Sequence, residues 1–341
     1  MSRYTGKDRM IAALKGQYAD RVPATVMFGP YVAKLAGSTL LDFFTDANKH
    51  AKSHVYAYGI FCPDSVTICG DVYLEAEVLG AKVEFFQDAT PHLKSLILED
   101  KADLGKLSIP DPKKDGRLCW YLEACERVSS ELKDILVGAV TTGPWTLAAY
   151  LRGAERLILD TADDPDFVHR LLRFTTEYVK IWIAAVRETG VGVGLGEASA
   201  SCSVISPKIY KAFIKPYHEE IINYFKQKKL YITLHICGYI DPIMEDVLDT
   251  GIGMISIDSP SSLRKLVGLS QGKAVIMGNV PTSLFAEGTK GEMEAAVKEC
   301  IDIGAKGSKY ILCSGCEIPI NSRQENIGYF MEAANKYGAY K

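Results

Sequence analysis

The chain has 341 residues, 48% of them hydrophobic, enough to bury a large core as one barrel or two modest domains. Its 39 basic and 42 acidic residues leave a net charge of −3, which removes the electrostatic case for nucleic acid or another polyanion as partner. Nine cysteines, an odd number without a regular framework, argue for reduced thiols rather than a disulfide scaffold.

The N-terminal stretch 1–8 lacks the apolar stretch of a signal peptide, and no later segment is apolar over ~18 residues, so a cytoplasmic protein without a membrane span is expected. Residues 6–16 read as a short amphipathic helix ended by Gly16, with Met10, Ile11 and Leu14 at helical spacing. Arg21-Val22-Pro23 leads to a strand over 24–28, then a helix over 38–58 and a strand over 62–68. Residues 82–86 alternate charged and apolar side chains like an edge strand. A polar connection with Pro110, Asp111 and Pro112 is too short to divide domains. A helix over 117–133 and a strand over 134–140 precede the turn at 141–145.

From there strands and helices alternate: helix 164–188, strand 191–196, helix 207–228, strand 230–236, helix 241–249, strand 252–257, helix 261–267, strand 273–277, helix 290–303, strand 309–313 and helix 322–337. Repeated βα units imply parallel strands joined by right-handed crossovers. Eight such strands close a barrel, so the expected fold is α/β, a (β/α)8 TIM barrel with an N-terminal helical extension, in a single domain over 1–341. An open doubly wound sheet is the alternative, but no Gly-x-Gly-x-x-Gly follows the first strand, and Gly192-Val-Gly194-Leu-Gly196 has the wrong spacing.

In a barrel the chemistry sits at the C-terminal ends of the strands. Those ends offer Asp64, Thr142 with Gly143, Glu197, His235 with Cys237, Asp258, Asn279, and Cys313 with Cys316. His235 and Cys237 are two residues apart on an extended run and point to one side. A third soft ligand is available in Cys313-Ser-Gly-Cys316-Glu317, which also permits a redox pair, although it follows the last strand rather than opening an early helix. Three N/S ligands with an open position describe a catalytic zinc site. Asp64, Asp258 and Asn279 are equally suited to capping turns or helices.

The chain resembles the uroporphyrinogen decarboxylase superfamily, and within it the zinc-dependent, corrinoid-linked methyltransferases of the coenzyme M (MtaA-like) branch. The resemblance is carried by Arg9-Met-Ile-Ala-Ala-Leu-Lys-Gly16 with Arg21-Val-Pro23, Glu75-Ala-Glu77 with Leu79-Gly-Ala81, Ser206-Pro207 ahead of Pro216-Tyr217, Leu234-His-Ile-Cys-Gly238 with Asp241-Pro-Ile243, Gly278-Asn279-Val280, and Gly315-Cys316 with Ile318-Pro319 and Glu325-Asn326. It implies a (β/α)8 barrel, His235, Cys237 and Cys316 as zinc ligands, and a corrinoid carried by a partner protein that exchanges a methyl group with a small thiol or methylated substrate. Glu197 is then a displaceable fourth ligand or proton carrier, and Asp258 and Asn279 orient the ligands. The decarboxylase reaction is the alternative, but Met27-Phe-Gly-Pro-Tyr-Val32 lacks arginines for substrate carboxylates, and Cys316 stands where the decarboxylases carry histidine. A barrel whose thiols only sense metal or oxidants is the second alternative.

Overall fold

A computed structural model describes residues 4–307 and 309–340; residues 1–3, the start of the stretch read for a signal peptide, lie outside them, as do residues 308 and 341. Among the described residues no helix is long and apolar enough to cross a membrane.

The strands are β1 (Ser65–Ile68), β2 (Val83–Glu84), β3 (His92–Leu93), β4 (Leu136–Thr142), β5 (Gly192–Glu197), β6 (Ile232–Ile236), β7 (Met254–Ile257), β8 (Val275–Val280) and β9 (Tyr310–Ser314). Seven form one curled parallel sheet in the order β1-β4-β5-β6-β7-β8-β9, with helices as crossovers. Strands β8 and β9 are buried at every residue, as parallel strands covered on both faces must be. The alternation over 82–86 belongs to a separate antiparallel hairpin of β2 with β3, not to the main sheet.

The segment expected as strand 24–28 is reduced to a single parallel bridge, Ala24 to Leu312. It nevertheless touches both edges of the sheet. Thr25 N donates to Leu312 O at 2.9 Å and Leu312 N to Pro23 O at 2.9 Å, while on the other side Asp64 N donates to Ala24 O at 2.8 Å. Thr25 Oγ1 also donates to Ser65 O at 2.9 Å.

Helix boundaries follow local chemistry. The expected helix 38–58 is two helices, Leu40–Thr45 and Ala47–Phe61, because Asp46 is extended and spends its carboxylate on Asn48 N and Lys49 N as an N-cap. The expected helix 207–228 carries a π-turn at Tyr210–Ile214, ahead of Pro216, and the expected 241–249 opens as a 3-10 turn at Asp241–Ile243. Helices Tyr31–Leu35, Leu74–Val78, Pro144–Arg152, Ala154–Asp163 and Ser283–Glu287 were not expected.

The long helix Pro165–Glu188 shows why such elements form. Asp164 caps Phe167 N at 3.1 Å, Pro165 occupies the first turn, and Phe167, Val168, Leu171, Leu172, Val179, Trp182, Ile183 and Val186 recur at helical spacing and are buried. Truncating Trp182 to alanine would cost about 3–5 kcal/mol.

The helix Gly6–Lys15 is capped by a reciprocal Thr5–Asp8 box. Its Met10 and Ala13 join Met27, Val275, Met277, Ile311 and Cys313 in a small apolar cluster distinct from the main core. Asp64, expected among the site residues, instead precedes β1, at the opposite end of the strands. It is buried, and binds Arg9 Nη1 at 3.0 Å, Arg21 Nη1 at 2.6 Å and Ala24 N at 2.7 Å. Its role is to fasten the N-terminal helix.

Candidate metal centre

Strand β6 alternates buried Ile232, Leu234 and Ile236 with half-buried Thr233 and His235. The apolar set meets the helices, so His235 and, two residues later, Cys237 face the other way. Cys316 follows β9 after the tight passage at Gly315, whose N donates to Val280 O at 2.8 Å. A Cβ at Gly315 would lie 2.7 Å from Ser259 N and 2.9 Å from Asp258 Oδ1, so only glycine lets this loop pass.

The outcome is a cluster. Among the described residues, His235, Cys237 and Cys316 form the group of ligand-type side chains whose donor atoms all lie within 4.8 Å of one another. Cys237 Sγ is 3.3 Å from His235 Nε2 and 3.7 Å from Cys316 Sγ. All three residues are half-buried, so the donors meet solvent on one side. Cys313 is fully buried, and burial pushes its thiol up to about 12. It belongs to the apolar cluster and not to the donor set.

The donor chemistry fits a soft cation. Hydrogen bonding to Cys237, together with burial, holds the Cys316 thiol well above its ordinary range, because two adjacent thiolates repel unless a positive ion lies between them. Burial works against charge on His235, yet its contact with Cys316 and the charges of Asp258 and Glu317 raise it on balance. One imidazole and two thiolates with an open side match a catalytic zinc set, and the site residues present fit that ion.

Neighbouring groups hold the donors in place. His235 Nδ1 lies 2.9 Å from Ser256 Oγ on β7, which turns Nε2 toward the thiols. Asp258 Oδ2 accepts from Gly238 N at 2.9 Å, directly after Cys237, and its Oδ1 accepts from Ser259 N at 2.6 Å. Asn279 Nδ2 donates to Asp258 O at 3.2 Å and to Ser261 O at 2.9 Å, pinning the turn that carries Asp258. Asp258 and Asn279 thus lie behind Cys237, hydrogen-bonded to the backbone of the adjoining loops.

Glu197 is placed otherwise. In the β5–β6 register His235 sits beside Gly196 and Glu197 beside Ile236, so the carboxylate points into the helix layer and away from the donors. There it accepts from Trp145 N at 3.2 Å, Thr146 N at 2.9 Å, Thr146 Oγ1 at 2.6 Å and His218 Nε2 at 3.0 Å. Both oxygens are committed to the start of helix Pro144–Arg152 and to a fully buried histidine. This corrects the reading of Glu197 as a displaceable ligand. Thr142 is likewise turned to Glu75, whose Oε1 and Oε2 accept from its N and Oγ1 at 2.9 and 2.8 Å.

Sequence reasoning overlooked Ser256 and His218. Ser256 carried a signal, a lone hydroxyl inside the apolar run Met254-Ile-Ser-Ile257 that pairs with the strand bearing His235. His218 carried none, since its partner is set by tertiary packing.

Fold and site together define a parallel α/β enzyme scaffold with a thiol-rich, metal-competent centre at its strand ends. The chain belongs to the uroporphyrinogen decarboxylase (URO-D) family, whose model matches residues 5–337. It is 26% identical to the methylcobamide:CoM methyltransferase MtbA of Methanosarcina mazei, covering 99% of both chains. It is also 25% identical to a uroporphyrinogen decarboxylase of Xylella fastidiosa over 88% of each. Among solved structures, a methyltransferase from Methanosarcina mazei superposes with a TM-score of 0.89 at 22% identity, covering 98% of this chain and 99% of that one.

Proposed function

We propose that this protein is a zinc-dependent methyltransferase that moves a methyl group from a corrinoid carried by a partner protein to a small thiol. The observation that carries the reading is the half-buried His235, Cys237 and Cys316 donor set, assembled from two strand ends and open on one side. The near full-length similarity to a methylcobamide:CoM methyltransferase supports it.

The scaffold is read as one domain and a closed (β/α)8 barrel, in which residues 24–28 are the eighth stave, supported by their hydrogen bonds to both β9 and the residue preceding β1. The active site then lies in the mouth, where the C-terminal strand ends converge.

His235, Cys237 and Cys316 would hold zinc, which when bound supplies a Lewis-acidic seat that keeps a thiol deprotonated at neutral pH. Ser256 fixes the imidazole, and Asp258 with Asn279 holds the loop behind Cys237, so the open side keeps its shape through turnover. The transfer forms an S–C bond and breaks the Co–C bond of the methylcorrinoid, with the electron pair staying on cobalt and the thiol proton released to solvent.

The decarboxylase alternative finds no cation on the segments that leave the strand ends. No lysine or arginine occurs in the segments 26–33, 69–80, 143–151, 197–206, 237–263, 280–289 and 314–322 that leave the strand ends, whereas a polycarboxylate substrate needs them. The deciding experiment follows the colour change of methylcobalamin with a panel of thiols and zinc-loaded protein. Demethylation that depends on thiol supports the reading. Inertness toward every thiol, or decarboxylation of uroporphyrinogen at an enzyme-like rate, overturns it.

A further inference from the structure

The residue after the last metal-type ligand sets the electrostatic character of the mouth. We propose that Glu317 is a specificity-determining residue that selects a small substrate bearing a cationic group, an alkylammonium, over one bearing a sulfonate or carboxylate. The inference rests on the methyl-transfer reading of the same site.

Glu317 directly follows Cys316; the residue is open to solvent, while its carboxyl end is desolvated among its neighbours, which raises it above the ordinary carboxylate range. Its carboxylate lies against the adjacent 28–29 turn, where Ile318 N donates to Met27 O at 2.8 Å. A Cβ on Gly29 would lie 2.7 Å from Glu317 Oε2, and the Cys69 thiol just beyond β1 is its hydrogen-bond partner. Glu317 therefore bridges from the ligand loop toward the 28–29 and 69 corner, within electrostatic reach of His235.

Five other acids on the segments that leave the strand ends have donors of their own. Asp71 pairs with Arg117 at 2.7 Å, Glu75 with Thr142, Glu197 with His218, Asp241 with Ser262 N at 2.8 Å, and Asp258 with two backbone amides. A thiol is a weak donor, so Glu317 retains acceptor capacity for a ligand. No lysine or arginine offsets it from the segments leaving the strand ends, which contain acids.

Charge counting points the same way. A divalent ion with two cysteine thiolates is neutral, and a bound substrate thiolate makes the assembly negative. Glu317 adds a second negative charge. An anionic tail on the substrate would add a third in a partly desolvated mouth, whereas an ammonium relieves the excess.

The test uses three thiols of one skeleton, 2-aminoethanethiol, 2-mercaptoethanol and 2-mercaptoethanesulfonate, as acceptors from methylcobalamin with the full zinc-loaded chain. The parent is expected to favour the amine over the sulfonate by about tenfold or more in kcat/KM. That ratio should fall about tenfold in Glu317→Gln and invert in Glu317→Lys, which corrects for the intrinsic reactivity of each thiol. A second arm measures binding of 2-(methylthio)ethylamine and 2-(methylthio)ethanesulfonate by calorimetry, with the same ordering and the same response expected. A ratio unmoved by either substitution, or a parent that prefers the sulfonate, overturns the role of Glu317. Inertness of the parent toward all three thiols overturns the functional reading instead, and the binding arm still decides on Glu317.

Discussion

His235 Nδ1 and the hydroxyl of Ser256 lie 2.9 Å apart across neighbouring strands, with the two residues directly paired in the β6–β7 register. That bond fixes which imidazole nitrogen faces Cys237, so the ring arrives at a metal already oriented. Replacing Ser256 by alanine leaves all three donors in place but frees the ring. Zinc affinity is expected to fall about 10-fold to 100-fold, measured by competition with a chromogenic chelator. Unchanged affinity would mean that packing alone holds the imidazole.

Metal content gives the plainest check of the donor set. Protein purified without chelator is expected to carry about one zinc per chain, and Cys237→Ser and Cys316→Ser to lose most of it. Atomic emission analysis reads this directly. Full zinc retained in both variants removes these cysteines from the site.

Glu197 separates a structural carboxylate from a ligand. Glu197→Ala strips an acceptor from Trp145 N, Thr146 and His218, all in a buried setting, and should cost about 3–5 kcal/mol of stability by chemical denaturation while zinc content holds. Loss of zinc with stability intact would restore Glu197 to the coordination sphere.

A second consequence is a loss of stability in acid. His50 and His54 are buried beside Phe43, and His54 offers neither nitrogen a partner among the described residues. Burial lowers His50 from 6.5 to about 4 and His54 well below 6.5. Between those values the unfolded chain binds protons that the folded chain refuses, so stability is present above about pH 6.5 and lost as pH falls toward about 4. For His50 the shift corresponds to about 3 kcal/mol across that window. The Tm should drop between about pH 7 and about pH 5, and His54→Leu should flatten the decline. An equally steep decline in that variant would assign it to other groups.

Much of this was legible in the sequence because period and position carry it. The seven sheet strands lie where the apolar runs placed them, and His235, Cys237 and Cys316 converge as the strand-end logic required. Glu197 shows a signal misread. Gly192, Gly194 and Gly196 alternate with Val193, Leu195 and Glu197, which puts the carboxylate on the apolar, helix-facing side of β5. Asp64 was misplaced because a run read as strand 62–68 begins only at Ser65, moving the aspartate from the strand to its opening. The helices Pro144–Arg152 and Ala154–Asp163 escaped notice although Pro144 marks the first helical position. The ion pairs of Asp64 and the His218 contact of Glu197 join residues distant in sequence, and spacing says nothing of them.

The bridge from Ala24 to Leu312 sets an order of events during synthesis. A ribosome releases residue 24 long before residue 312, so the first segment waits for all of the intervening chain before it can pair with β9. Until then both margins of the growing sheet present unpaired amides and carbonyls, the kind of surface that recruits other unfinished chains. Closure between such distant segments is intrinsically slow. Cys316 follows β9 by two residues, so the third member of the donor cluster comes into place in the same late step that pairs Ala24 with β9.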